Sequence, residues 1–221
     1  MILLNRKIRH AASVLTAACV LAGCSAIGGG DIASIYEIAK NVWSDRSRKV
    51  TLEEAASVPY ASMGIRLGDS SEVMIVLAGD TNGQSLWTSS AKIAITTQGG
   101  RIVRTAGFEH NLGGYSSLSD TLGKDGGRTL RYQVDFPDLS LYSVPIVCQD
   151  QPAVDETIII LGKDIHTQRI EESCACADGE LDWSFNNTYW LDPESGLVWR
   201  SIQHVHPRLD VVDTEILRPP G

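Results

Sequence analysis

The chain has 221 residues, of which 43% are hydrophobic and 21% are charged, and its formal net charge is −8 at pH 7. This length is sufficient for one domain with a sizeable core. Because the acidic excess repels phosphate backbones, the composition disfavours nucleic acid as a partner.

The first 24 residues have the organisation of a bacterial lipoprotein signal. Three cations at residues 6–9 precede an apolar run over residues 11–22, which is shorter than the roughly 20 residues that span a bilayer. The run ends in the lipobox pattern Leu21-Ala22-Gly23-Cys24. We therefore predict a signal peptide over residues 1–23, a diacylglycerol thioether on Cys24, and acylation of its new amino group, typically by palmitate. The alternative is an ordinary cleaved signal in which this cysteine has no role.

Removal of the signal makes the chain more acidic. The segment carries three of the 19 Lys and Arg residues and none of the 27 Asp and Glu residues, so the net charge of −8 becomes −11. Such a surface adheres poorly to anionic head groups, and the acyl chains, at about 0.8 kcal/mol per buried methylene, would hold the protein to the membrane instead. Ser25 follows the cysteine, and in enterobacterial sorting a serine there permits transfer to the outer membrane. We expect an outer-membrane lipoprotein facing the periplasm.

A tether and one helix are predicted before the main domain. Residues 24–30 contain three consecutive glycines and form a flexible tether. Asp31 is a suitable N-cap, and apolar residues then recur at helical spacing as far as Ser44. This amphipathic helix either docks on a sheet or lies on the membrane. Docking is favoured because Lys40 is the single cation of its polar face.

Alternating apolar residues and turn signals predict that residues 31–221 form a single, mainly β domain. Asn82-Gly83 is typical of a tight hairpin, and residues 157–174 are long enough for one bent strand or two. Residues 107–127 are rich in Gly, Ser and Asp, which favours a long surface loop. The absence of strand–helix alternation favours an antiparallel β-sandwich or a partly open β-barrel of about 9–11 strands, with one N-terminal amphipathic helix.

Three cysteines besides Cys24 remain in the mature chain, so at most one internal disulfide forms. Cys148 can reach Cys174 or Cys176, whereas alternate residues of one strand are too far apart for a relaxed bridge to each other. A bridge from 148 to 174 closes a loop of about 27 residues and would stabilise the fold by roughly 3–4 kcal/mol.

The sequence contains no recognisable catalytic or cofactor-binding motif, and we predict neither a cofactor nor a metal. His204 and His206 share one face of a predicted strand, a spacing that can bind zinc when other ligands converge. A polar sheet face is the favoured interpretation.

The densest aromatic stretch is residues 183–190. Rings mixed with asparagines suit saccharides, because sugar C–H faces stack on rings while amides bind hydroxyl groups. The simpler interpretation is that one face of this strand fills the core. The candidate ligand-binding residues are Trp183, Asn186, Asn187, Tyr189, Trp190 and Trp199.

Several motifs resemble the YjbF family, the group 4 capsule polysaccharide lipoproteins of GfcB type. They lie at residues 59–62, 66–68, 100–107, 183–201 and 215–220. The resemblance extends over nearly the whole mature chain. It implies a mostly β outer-membrane lipoprotein that works with capsule or exopolysaccharide export genes, and it implies no catalytic residues.

We therefore expect a non-enzymatic accessory factor of exopolysaccharide production. Its expected partners are the membrane, through the lipid anchor, and export proteins or the polymer, with a homodimer possible. Two alternatives are open: an open-barrel carrier of a lipid or lipid-linked sugar, and a polysaccharide-modifying enzyme. A glycosidase needs two carboxylates about 5–10 Å apart. Available acidic residues are Glu109, Asp120, Asp125, Asp135 and Asp182.

Overall fold

The computed structural model describes residues 48–123, 127–177, 179 and 181–221. The predicted signal peptide, lipidated Cys24, tether and helix over 31–44 all lie outside these residues. Within the described part, no helix is both long and apolar enough to cross a membrane. A short helix α1, Leu52–Ser57, begins at a capping box in which Thr51 and Glu54 bond each other's backbone.

Thirteen strands follow, so the chain is mainly β, as predicted, with two strands more than the expected range. They are β1 Ser62–Leu67, β2 Val73–Thr81, β3 Gln84–Thr88, β4 Ala94–Gln98, β5 Arg101–Ala106, β6 Gly114–Leu122, β7 Arg128–Phe136, β8 Leu141–Asp150, β9 Val154–Ile160, β10 Lys163–Cys176, β11 Ser184–Leu191, β12 Val198–Gln203 and β13 Val212–Arg218. A 3-10 turn, Pro137–Leu139, joins β7 to β8.

All the strands belong to one antiparallel sheet that curves into a nearly closed barrel. Its order is β5-β4-β3-β2-β1-β13-β12-β11-β10-β8-β7-β6, and β9 pairs with the first half of β10. The end strands β5 and β6 approach each other at one end of the gap, where the Thr105 amide donates to the Leu112 carbonyl over 3.0 Å. Near the other end of these strands the interior is accessible, and this opening positions the site described below.

The predicted surface loop over residues 107–127 is wrong in its centre. Residues Gly114–Leu122 form β6, which pairs along its length with β7. As an end strand with mostly exposed side chains, β6 needs few apolar residues. Backbone hydrogen bonds to β7 hold β6 in place. Its many Gly, Ser and Asp residues, which suggested a loop, are instead those of a strand whose side chains are exposed.

The long segment that was predicted as one bent strand or two is two strands, β9 and β10, separated by a turn at Leu161 and Gly162. Both turn residues have positive φ, 50° and 75°, as a tight hairpin requires. Asn82 and Gly83 have the same left-handed conformation between β2 and β3, with φ of 54° and 74°, which confirms the hairpin predicted there.

The larger apolar core lies inside the barrel, where Ile75, Ile95, Phe136 and Ile146 are almost completely buried. A smaller cluster, containing Ile158, Ile160 and Trp190, packs separately. A disulfide joins Cys148 of β8 to Cys174 of β10, which are direct register partners. It ties two strands that are adjacent in the sheet although β9 lies between them in sequence.

Candidate functional site

A polar cavity of about 370 Å³ opens into the barrel near the gap between β5 and β6. We call it the barrel cavity. Its volume is at the lower end of the range for small-molecule sites. Its charged and aromatic lining residues are Arg101, Tyr115, Asp120, Arg128, Asp150, Glu172 and Tyr189.

Arg101 and Glu172 form a buried ion pair across the barrel, from β5 to β10. The Arg101 guanidinium lies 5.2 Å from the ring centre of Tyr132 and 5.4 Å from that of Tyr189. Burial raises the pKa of both phenols, so both rings are neutral at physiological pH. The cation is thus held by one carboxylate and two rings.

Buried polar side chains of β11 and β12 form a hydrogen-bond network around this ion pair. The Asn187 amide donates to Glu172 Oε2 over 3.4 Å, and the Tyr189 hydroxyl donates to Gln203 Oε1 over 3.3 Å. Gln203 Nε2 in turn donates to the Gly100 carbonyl over 2.8 Å. Buried polar groups that are satisfied in this way rigidify their surroundings, so Arg101 and Glu172 are held in one arrangement.

Asp150, at the end of β8, is the least satisfied charged group of the cavity. Its side chain is 10% exposed, its Oδ1 is buried with no hydrogen-bond partner, and its Oδ2 lies 3.8 Å from Arg128 Nη1. Burial first, and then the negative charge of Glu172, raise the pKa of Asp150 to about 6. Arg128 is engaged elsewhere, since it donates to both oxygens of Asp120 over 2.8 and 2.6 Å.

We expect Asp150→Asn to increase stability by about 1–2 kcal/mol at pH 7.5, less than the full pKa shift implies because the open cavity partly screens the charge. The raised pKa in the folded state means that ionisation destabilises the fold, so wild type loses stability relative to the variant from about pH 4 to pH 6. Urea denaturation of both chains at pH 4, 5, 6 and 7.5 measures the difference. A constant difference across this range would contradict the prediction.

The six predicted ligand-binding residues lie in five different places. Of the six, Tyr189 lines the barrel cavity, and Asn187 bonds to its Glu172. Trp183 stacks on Phe185 with ring centres 4.0 Å apart, against the apolar core. Asn186 is exposed, and its carbonyl contacts the His204 ring.

The other two tryptophans lie away from the barrel cavity. Trp190, on the opposite face of β11, packs in the smaller cluster with the Arg200 guanidinium 5.0 Å from its ring centre. Trp199 lines a separate groove of about 380 Å³ beside α1, the β9–β10 turn and the end of β13. The six residues therefore do not form one surface.

Sequence reasoning missed five of the charged and aromatic residues that line the cavity: Arg101, Tyr115, Arg128, Asp150 and Glu172. Of the acidic candidates, Asp120 lines the cavity, Asp125 lies outside the described residues, and the others are not among the residues that line it. A usable signal existed for Glu172, because alternation places it on the same face of β10 as the buried Cys174.

A second cluster contains His110, Asp138 and His206, whose candidate metal-ligand atoms lie within 4.8 Å of one another. The backbone amide of Arg208 donates to His206 Nδ1 over 3.0 Å. A neutral His206 therefore carries its proton on Nε2, which donates to Asp138 Oδ1 over 3.0 Å. Because both ring nitrogens are engaged, His206 has no lone pair for a metal, and the cluster is a hydrogen-bonded clasp.

This clasp corrects the prediction of a polar sheet face for the two histidines. β12 ends at Gln203, before both of them, and His206 is 1% exposed. His110 Nδ1 lies 2.7 Å from the other Asp138 oxygen, and its ring stacks on that of His206. The carboxylate thus joins the loop after β12 to the loop before β6.

Acidification should weaken this clasp. Burial, which disfavours the charged ring, lowers the pKa of His206 despite the opposing effect of Asp138. A depressed histidine pKa means that stability falls as the pH drops below about 6.5, the value of an unperturbed imidazole. We expect His206→Gln to be less stable than wild type at pH 7.5 and the difference to shrink towards pH 5. Thermal melts across this range would measure it, and a difference that grows on acidification would contradict the assignment.

Comparison with known proteins identifies the family. Residues 35–217 match the family described as "Group 4 capsule polysaccharide lipoprotein gfcB, YjbF". The chain belongs to this family. It is similar to the "Uncharacterized lipoprotein GfcB" of Escherichia coli (strain K12), with 25% identity over 185 residues, which cover 81% of this chain and 86% of that protein.

A solved relative has the same fold. The crystal structure of the hypothetical lipoprotein YmcC from Escherichia coli (K12) aligns with a TM-score of 0.61 at 20% identity, over 86% of this chain and 95% of that one. Family membership makes the chain a capsule-related lipoprotein of the cell envelope. The resemblance detected in the sequence is thereby confirmed.

Proposed function

We propose that this lipoprotein is a non-enzymatic accessory factor of capsule or exopolysaccharide production or export. It is anchored to the outer membrane through Cys24, faces the periplasm and contacts the polymer through the barrel cavity. Family membership supports the process. The observation that carries the polymer contact is a polar cavity with Tyr115 and Tyr189 in its wall, a lining suited to sugars.

The geometry of the acidic groups favours binding over hydrolysis. A glycosidase requires two carboxylates, one to protonate the leaving oxygen and one to act as nucleophile or base. Glu172 is bound by Arg101 and Asn187. Both oxygens of Asp120 accept hydrogen bonds from Arg128. Asp150 alone among the three presents an oxygen with no partner. One such carboxyl group can accept a hydrogen bond but cannot supply both roles.

The carrier alternative has less support. It requires a deep apolar cavity between the strands over residues 72–78 and 157–161. Ile75 is instead fully buried in the packed core, while Ile160 belongs to the smaller cluster. The barrel cavity has more polar than apolar lining.

Deletion of the gene in its native host tests the proposal. We expect loss of surface polymer, measured as cell-bound and secreted carbohydrate, and restoration by the wild-type gene. Cys24→Ala, which removes the acylated sulfur, should fail to restore it although the chain is still made. Unchanged surface polymer after deletion would refute the accessory role. Shortened or altered polymer chains on overexpression of the wild type would instead indicate an enzyme.

A further inference from the structure

We infer that the barrel cavity binds a sugar residue that presents hydroxyl, amino or amide donors and carries no acidic group, with Asp150 as its principal acceptor. This inference rests on the proposed function, which makes saccharide the relevant class of ligand. It goes further by specifying the chemistry of the sugar and the residue that selects it.

The first argument is the unsatisfied oxygen of Asp150. A buried carboxylate oxygen without a donor is costly, because it has lost its hydration without gaining a hydrogen bond. Asp150 Oδ1 is in this state, although the side chain lines the cavity and is only one-tenth exposed. Oδ1 itself has almost no accessible surface, so rotation about the Cβ–Cγ bond must turn it towards the cavity before a ligand O–H or N–H can donate to it. The resulting hydrogen bond to a charged acceptor is among the stronger kinds and would remove the penalty.

The second argument is the charge that remains after internal pairing. Arg101 is neutralised by Glu172, and Arg128 is bound by both oxygens of Asp120. Among these described lining groups, the carboxylate of Asp150 is left with only a distant cation, at 3.8 Å. The cavity therefore repels uronate, sulfate and phosphate groups, and it attracts neutral or cationic donors.

The third argument is the apolar part of the wall. Leu130, Ile170 and Leu191 line the cavity together with the ring of Tyr115. The Tyr115 ring is supported by Tyr132, with ring centres 5.0 Å apart. Sugar rings combine C–H faces with hydroxyl edges, so a lining that contains both apolar side chains and a charged acceptor matches their amphipathic shape.

Ligand binding to the Asp150 carboxylate should depend on pH. Asp150 is ionised above about pH 6. The charged groups that act on it are Glu172 from β10, Arg128 from β7, Arg101 from β5 and Asp120 from β6. Both arginines stay protonated over pH 5–7.5, and they are paired with the other two carboxylates, Arg101 with Glu172 and Arg128 with Asp120. A ligand with no titrating group of its own should then bind more weakly as the pH falls through 6, because Asp150 loses its charge.

The test uses the full lipidated chain in lauryldimethylamine oxide micelles, a detergent without a sugar head group. Four tetrasaccharide probes are compared by isothermal titration and saturation-transfer NMR: those of glucose, N-acetylglucosamine, glucosamine and galacturonate. We expect binding of at least one of the first three and at least tenfold weaker binding of tetragalacturonate. Asp150→Asn should lower the affinity for whichever probe binds the wild type by at least tenfold. The matched control is Asp155→Asn, which makes the same change at an exposed position of β9 and should have no effect.

A pH series separates ligand contact from a structural role. Binding of an uncharged probe by wild type should fall between pH 7.5 and 5, whereas Asp150→Asn should give a flat profile. Binding of none of the probes, preference for tetragalacturonate, or equal affinity of Asp150→Asn and wild type would each overturn the inference. Such a result together with lost polymer in the deletion strain would leave the accessory role standing. Normal polymer in that strain would refute the accessory role even if the probes bind.

Discussion

Arg101→Met should destabilise the fold by about 3–5 kcal/mol, because it leaves Glu172 as a buried charge without its cation. Glu172 is 3% exposed, and its remaining described side-chain contacts are Asn187 at 3.4 Å and the Cys174 sulfur at 4.0 Å. Methionine fills much of the arginine volume, so the loss of stability reflects the unpaired charge of Glu172 more than a change in packing. Urea denaturation of the full chain at pH 7.5 measures the effect.

The double variant Arg101→Met/Glu172→Gln is the decisive comparison. Replacing both members of a buried pair removes the orphaned charge, so the double variant should recover most of the lost stability. Arg131→Met is the matched control, because Arg131 is an exposed residue of β7 and surface substitutions of this kind usually change stability by under 0.5 kcal/mol. If the double variant were as unstable as the single one, the pair would not be the source of the effect.

The second large effect concerns the disulfide. Cys148→Ala/Cys174→Ala should lower stability by about 3–4 kcal/mol and the melting temperature by roughly 6–16 °C. The bridge spans 26 positions, including all of β9, and removing it frees this segment in the unfolded chain. Both cysteines are also buried in the main core, so the packing around them loosens as well.

Cys176→Ala is the control for this experiment. Cys176 lies two residues further along β10, is half-buried and does not take part in the Cys148–Cys174 bridge. We expect its replacement to cost less than 1 kcal/mol and to leave the melting temperature sensitive to reductant. The double variant should show no such sensitivity. Equal melting temperatures of oxidised and reduced wild type would contradict a stabilising role for the bridge.

Features that depend on residues close together in the sequence were predicted, whereas features that depend on contacts between distant segments were not. The Asn82-Gly83 turn was predicted because left-handed backbone conformations depend on the local residues. The faces of β11 follow from alternation, and Phe185, Asn187 and Tyr189 are buried while Ser184 and Asn186 are exposed. β6 was missed because an exposed end strand has little apolar periodicity, and its pairing with β7 holds it in place.

The sequence by itself determined the family, the mainly β class and the three cysteines available for one bridge, because each depends on residue identity or on spacing within a short segment. Tertiary structure alone decided that β8 lies beside β10 and that β5 and β6 bound the opening. Those two facts bring Asp150 and Glu172 together and place Arg101 across the barrel from them. Alternation assigns each side chain to the inside or the outside, but strand order and register decide which inward side chains meet.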